Sequence, residues 1–104
     1  MKFYRYEEVN YHEIGIRLNE RVFELIKETP KGYWIDLFPD MGWNEKKWVS
    51  STAKKRYAYP TKEEALSSFI ARKERQIEIL KAQLSNARIA HMKGKELYIK
   101  ETSA

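Results

Sequence analysis

Lys54-Lys55-Arg56-Tyr57-Ala58-Tyr59 interleaves three long cations with two rings directly before Pro60-Thr61, where a helix begins. Cations and the unpaired N–H groups of a helix N-terminus attract phosphate, and a ring can hold a base. The segment therefore suits a phosphate-bearing ligand, either a small nucleotide or a nucleic acid. Trp48 flanks it and offers a further stacking face. Farther along, Arg72, Arg75 and Gln76 share one side of the helix by their three- and four-residue spacing. They converge on an anion only if Glu74 and Glu78 leave that side charged. The ligand-binding candidates are Lys54, Lys55, Arg56, Tyr57, Arg72, Arg75 and Trp48. Two structural readings stand beside this one. Tyr57 and Tyr59 can pack beneath a sheet and leave the lysines as surface charge, and the helix cations can pair with their own glutamates.

No other pattern carries chemistry. His12 and His91 are the only histidines and show no metal-ligand spacing, and the chain has no cysteine for a thiolate, a disulfide or a Cys-bound metal. Ser50-Ser51-Thr52 lacks the strand-to-helix elbow and companion base of a nucleophile. The four glycines are too dispersed for a Walker loop or a dinucleotide fingerprint. The expectation is a protein that is not an enzyme and uses no metal or other cofactor.

The elements that must position these residues follow from patterning. Alternation over Phe3–Glu7, over Ile14, Ile16 and Leu18 around Gly15, and over Arg21–Glu28 predicts three strands, with Asn19-Glu20 as a hairpin connection. Thr29-Pro30-Lys31-Gly32 reads as a tight turn into a fourth strand over Gly32–Leu37. A breaker-rich loop, 38–44, precedes a fifth strand at about Lys46–Ser51. Trp34 reads as a core residue, and Trp43, in the loop between acids, as an exposed contact residue. Thr61 can cap a helix starting at about Lys62, with Glu64 reaching back to it. Leu66, Phe69, Ile77, Leu80, Leu84 and Ala87 then follow a nearly heptad stripe that also holds Lys73 and His91, and Gly94 ends it.

The predicted fold is α+β, an N-terminal antiparallel sheet of about four to five strands followed by one long C-terminal helix. The chain is expected to form a single domain, with sheet and loops over 1–59, helix over 60–93, and a tail over 94–104 that holds a short strand at Leu97-Tyr98-Ile99. A helix over 62–93 measures ~48 Å at 1.5 Å per residue, against a radius of gyration of about 13 Å for a globule of this size. Either it breaks near Ser85-Asn86 or its distal half packs on a second copy. Phe69, Ile77, Leu80 and Leu84 are the candidate interface of a homodimer or higher homo-oligomer.

Composition agrees with one core. The chain has 104 residues, 42% hydrophobic and 34% charged, and its three Trp, seven Tyr and four Phe offset a mean hydropathy of −0.74. The net charge of +5 modestly favours acidic partners, and it is distributed unevenly. Five cations and no acid lie between Lys46 and Arg56, whereas Asp36–Glu45 holds three acids and no base. No apolar run approaches the roughly 18 residues of a membrane span, and Met1–Arg5 lacks the apolar core of a signal peptide. A cytoplasmic protein without a membrane partner is expected.

Lys47-Trp48-Val49-Ser50, then Ala53 through Leu66, then Ser68 through Ile77, resembles a family of small proteins encoded by tailed bacteriophages. The sheet-then-long-helix architecture is also similar to that of phage anti-Thoeris sponges, which sequester cyclic nucleotide immune signals without cleaving them. The resemblance implies counter-defence by stoichiometric binding in the host cytoplasm. In that scheme Arg56, Arg72 and Arg75 meet phosphate or ribose, Tyr57 or Trp48 stacks on the base, and Ile77, Leu80 and Leu84 hold the second subunit that closes the site. Two alternatives remain: a nucleic-acid-binding phage accessory protein that uses the same positive patch, and an inhibitor of a host protein acting through the Trp43 loop.

Overall fold

The structure, a computed structural model, describes residues 1–103. Alternating sequence builds β1 (Lys2–Tyr11), β2 (Gly15–Thr29), β3 (Gly32–Asp36) and β4 (Lys46–Ser50), and α1 follows over Lys62–Thr102. The sheet has the order β1-β2-β3-β4 with every neighbouring pair antiparallel. The fold is α+β as predicted, with four strands. By compactness the chain divides into two units, Met1–Ile70 and Ala71–Ala104.

Two strand expectations fuse. Asn19 and Glu20 do not turn; they pair with Glu7 and Tyr6 inside a continuous fifteen-residue β2. The chain reverses instead at His12–Ile14, next to Gly15 at φ 89°. Glycine supplies the left-handed residue of a tight reversal at least cost, and Asn19-Glu20 holds none. The turn before Gly32 forms as predicted, with the Thr29 hydroxyl donating to the Gly32 carbonyl at 2.9 Å.

Phe3, Phe23, Ile35 and Val49 share one face of the sheet and form the core with Ala58. Register explains the set: Phe3 lies across from Phe23, Leu25 from Ile35, and Tyr33 from Val49. Ala58 arrives because the chain after β4 returns over this face. Tyr59 then adds to the outer edge of β1, exchanging backbone bonds with Tyr4 at 2.7 and 3.0 Å. A register shift between Leu25 and Lys27 leaves Ile26 exposed and sets Lys27 opposite Trp34, on the other face of the sheet. Trp34 is thus half-buried outside the core, contrary to the sequence reading.

The helix begins where the sequence places it. The Thr61 hydroxyl accepts from the Glu64 amide at 3.2 Å and donates to its carboxylate at 2.9 Å. Lys62 meets Glu20 at 3.6 Å and lies over the Tyr4 ring, and Ala65 is the helix's buried residue. The predicted end at Gly94 is overturned. Helix continues through it to Thr102, so Leu97-Tyr98-Ile99 are helical rather than a strand, and no break occurs at Ser85-Asn86. One glycine costs about 1 kcal/mol in a helix, and no proline follows it to stop propagation.

Gly32 gives a direct test of the packing. A Cβ there would lie 2.3 Å from the Val49 carbonyl oxygen and 2.6 Å from Cζ2 of Trp48. Gly32→Ala should therefore cost about 1–3 kcal/mol in urea denaturation, in the range of overpacked sites. An unchanged midpoint would mean that the Trp48 ring does not lie over this residue.

Candidate functional site

Tyr57 is the most heavily contacted of the predicted ligand residues, and its contacts are internal. The Arg5 guanidinium lies 4.4 Å from its ring centroid and donates to its carbonyl at 2.8 Å. Arg21 donates to its hydroxyl at 3.0 Å, Lys47 sits 4.7 Å from the ring, and the Phe23 ring is 5.7 Å away. Arg5 and Arg21 are direct cross-strand partners, an arrangement that like charge disfavours. Glu7 offsets it, bonded to Arg5 at 2.8 Å and lying 3.6 Å from Arg21. This cluster clamps the returning segment to the sheet. The Tyr57 ring is therefore not a platform for a base, which corrects the sequence assignment in favour of packing beneath the sheet.

The neighbouring cations divide. Arg56 turns back on its own loop, donating to the Ala53 carbonyl at 2.9 Å and lying over the Tyr59 ring at 5.6 Å. Lys54 and Lys55 are exposed at the tip of that loop. The Ser50 hydroxyl braces the loop by accepting from the amides of Thr52 and Ala53 at 3.2 and 3.0 Å. Arg72 and Arg75 are exposed on α1 in the second unit. Of the interface candidates, Phe69 is half-buried in the first unit, whereas Ile77, Leu80 and Leu84 are exposed in the second.

Trp48, named from the sequence as a stacking face, lies at the surface. It is 40% exposed on the sheet face opposite the core. Its indole N–H donates to the Thr29 hydroxyl at 3.2 Å, and its ring lies close over Gly32. Trp34 is its direct partner across β3 and β4, and Lys27 is paired with Trp34 in turn, so Lys27, Trp34 and Trp48 form one row across three strands. Lys46 lies 5.3 Å from the Trp34 ring centroid. Two indoles flanked by two ammonium groups on an open sheet face can stack bases and meet phosphates. Sequence reasoning missed Lys27, Trp34 and Lys46. Only the Lys46-Lys47-Trp48 run hinted at them, because alternation sends Lys46 and Trp48 to one face and Lys47 to the other.

Elsewhere on that face, the Tyr6 hydroxyl donates to the Glu20 carboxylate at 2.6 Å. This bond, then burial, then the Glu20 charge raise the Tyr6 pKa above the usual tyrosine value. In the 38–44 loop, Trp43 is 53% exposed and meets Phe38 edge-on at 4.9 Å, as its exposed reading predicts. Among the described residues, no group of three or more His, Asp or Glu could hold a metal ion, and no helix is long and apolar enough to cross a membrane.

No protein-family model, curated protein or solved structure matches this chain.

Two measurements check this geometry. Tyr57→Phe should cost about 1 kcal/mol through the lost Arg21 bond and Tyr57→Ala about 3 kcal/mol through the lost ring. Lys54→Ala and Lys55→Ala should stay within about 0.5 kcal/mol of the parent. Equal stability of Tyr57→Ala and Lys54→Ala would contradict the clamp. In ultraviolet titration Tyr6 should ionise at higher pH than an ordinary tyrosine, and Glu20→Gln should move that step downward. A raised pKa marks a neutral form that folding favours. Its contribution is full below the unfolded value of about 10 and is lost as pH climbs through the folded one.

Proposed function

We propose that this chain is a non-catalytic binding protein for a nucleotide ligand whose bases stack on Trp48 and Trp34 while Lys27 and Lys46 meet its phosphates. The carrying observation is the cross-strand row of Lys27, Trp34 and Trp48 on an open sheet face. Stacking tolerates any base and phosphate attraction tolerates any sequence, so a short single strand of nucleic acid suits the surface best. The excess of cations over acids favours the same partner.

Sequestration of a small nucleotide signal is a second form of the same reading. It requires enclosure, which an open face acquires only when a second copy covers it. A phage counter-defence role belongs to this form and rests on the resemblance of 47–77 to small phage proteins and on the likeness of the sheet-then-helix architecture to the sponges.

Titration of the intact protein with a short oligothymidylate, a cyclic dinucleotide and cyclic ADP-ribose isomers tests both forms. Oligothymidylate should quench tryptophan fluorescence and bind more weakly as salt rises. Trp48→Ala should cost about 5- to 150-fold in affinity, the equivalent of one stacked base. Lys27→Ala should weaken binding and reduce the salt slope by about one. A cyclic nucleotide bound tightly with little salt response would replace the strand by the small signal. Absence of binding to every member of the panel would overturn the proposal.

A further inference from the structure

The second unit leaves its large apolar side chains without cover. Along residues 71–102, Ile77, Leu80 and Leu84 are each about half exposed, at 50%, 51% and 52%, and Met92 and Tyr98 are exposed as well. Most helical stability in proteins comes from packing an apolar face rather than from propensity, and this helix continues through Gly94 against a cost of about 1 kcal/mol. That continuation extends the heptad stripe. With Ile77, Leu84, His91 and Tyr98 at the first core position, Leu80, Ala87 and Gly94 fall at the second, an unbroken register over three heptads. A β-branched residue followed by leucine at its start favours two strands, and small residues at Ala87 and Gly94 leave room for His91 and Tyr98.

Charge fixes the direction. Between Glu78 and Glu96 the helix carries four lysines and arginines and no acid. Three of them, Lys81, Arg88 and Lys95, recur at seven-residue intervals on one flank of the stripe, and the other flank is neutral, with Gln76, Gln83 and Ala90. In an antiparallel pair with full overlap the basic flank meets itself, Lys81 against Lys95 and Arg88 against Arg88. In a parallel pair each cation faces the neutral flank of the partner, Lys81 beside Gln76, Arg88 beside Gln83 and Lys95 beside Ala90.

We propose that the occupant of this face is a second copy of the same helix, and that residues 77–98 form a parallel, in-register two-stranded coiled coil. The inference goes beyond the ligand reading and does not depend on it.

The absence of cysteine makes the test direct. Leu80→Cys and Tyr98→Cys, made separately in the full chain and oxidised, should each give a covalent dimer, since a parallel register brings identical core positions together. An antiparallel pair with the overlap above would instead bring Leu80 beside Tyr98, joining Leu80→Cys to Tyr98→Cys in a mixture and neither to itself, and that result would overturn the proposed direction. Sedimentation equilibrium of the unmodified protein should give a dimer, and Leu84→Ala should weaken it by at least about 100-fold. An unmodified protein that sediments as a monomer at tens of micromolar would overturn the coiled coil itself. Neither readout involves nucleotide, so loss of ligand binding and loss of the dimer can be told apart.

Discussion

The architecture depends on how one short segment is held. After β4 the chain must cross back over the sheet to reach the helix, and three residues make that crossing: Tyr57 gripped by Arg5, Arg21 and Lys47, Ala58 buried without a gap, and Tyr59 paired to the outer edge of β1. Two arginines facing each other across a ladder would ordinarily weaken it. Here the repulsion is offset by Glu7 and by a ring whose face and hydroxyl both accept positive charge. The core is small, so holding this segment covers the sheet face that carries Phe3, Phe23, Ile35 and Val49. The same hold delivers Thr61 to the position from which it caps α1.

That use of Tyr57 bears on which surface the proposed ligand would meet. With the core face closed by the returning segment, the opposite face carries Trp34 and Trp48 at its β3–β4 end, while its β1 end holds the buried Tyr6 and Tyr4 beneath Lys62. Gly32 matters for both faces. It lets the Trp48 ring lie close against the backbone beside Val49, so the indole keeps a fixed orientation while much of it stays open to solvent. A platform held by a packed backbone and an indole hydrogen bond loses little side-chain freedom when a base settles on it.

Features set by near neighbours were legible in the sequence. The helix start needs only Thr61 and Glu64, and the β2–β3 turn needs only Thr29 through Gly32, so both appear as expected. Packing of Tyr57 beneath a sheet was one of two readings the sequence allowed, but its partners were not legible, because Arg5 and Arg21 come from strands 52 and 36 residues away in the chain. Trp34 was misread for a related reason. Alternation sets it on the face opposite Ile35, and only the pairing of Ile35 with Leu25 shows that the Ile35 face is the core. The segment singled out for its charge therefore proved to be the structural tie, and the flanking Trp48 proved to mark the open surface. At the other end of the chain, Gly94 looked like a stop. A single glycine without a following proline does not end a helix whose neighbours favour it, and the register that passes through it is what suggests a second copy.

The central claim is that the Trp34–Trp48 face, and not the Lys54–Tyr59 segment, receives the ligand. With three tryptophans in the chain, their indole N–H resonances report on it separately in a nitrogen-15 correlation spectrum. On addition of oligothymidylate the account predicts large shifts for Trp34 and Trp48 and a stationary Trp43. Shifts confined to the backbone of residues 54–59, with both Trp34 and Trp48 unmoved, would contradict it.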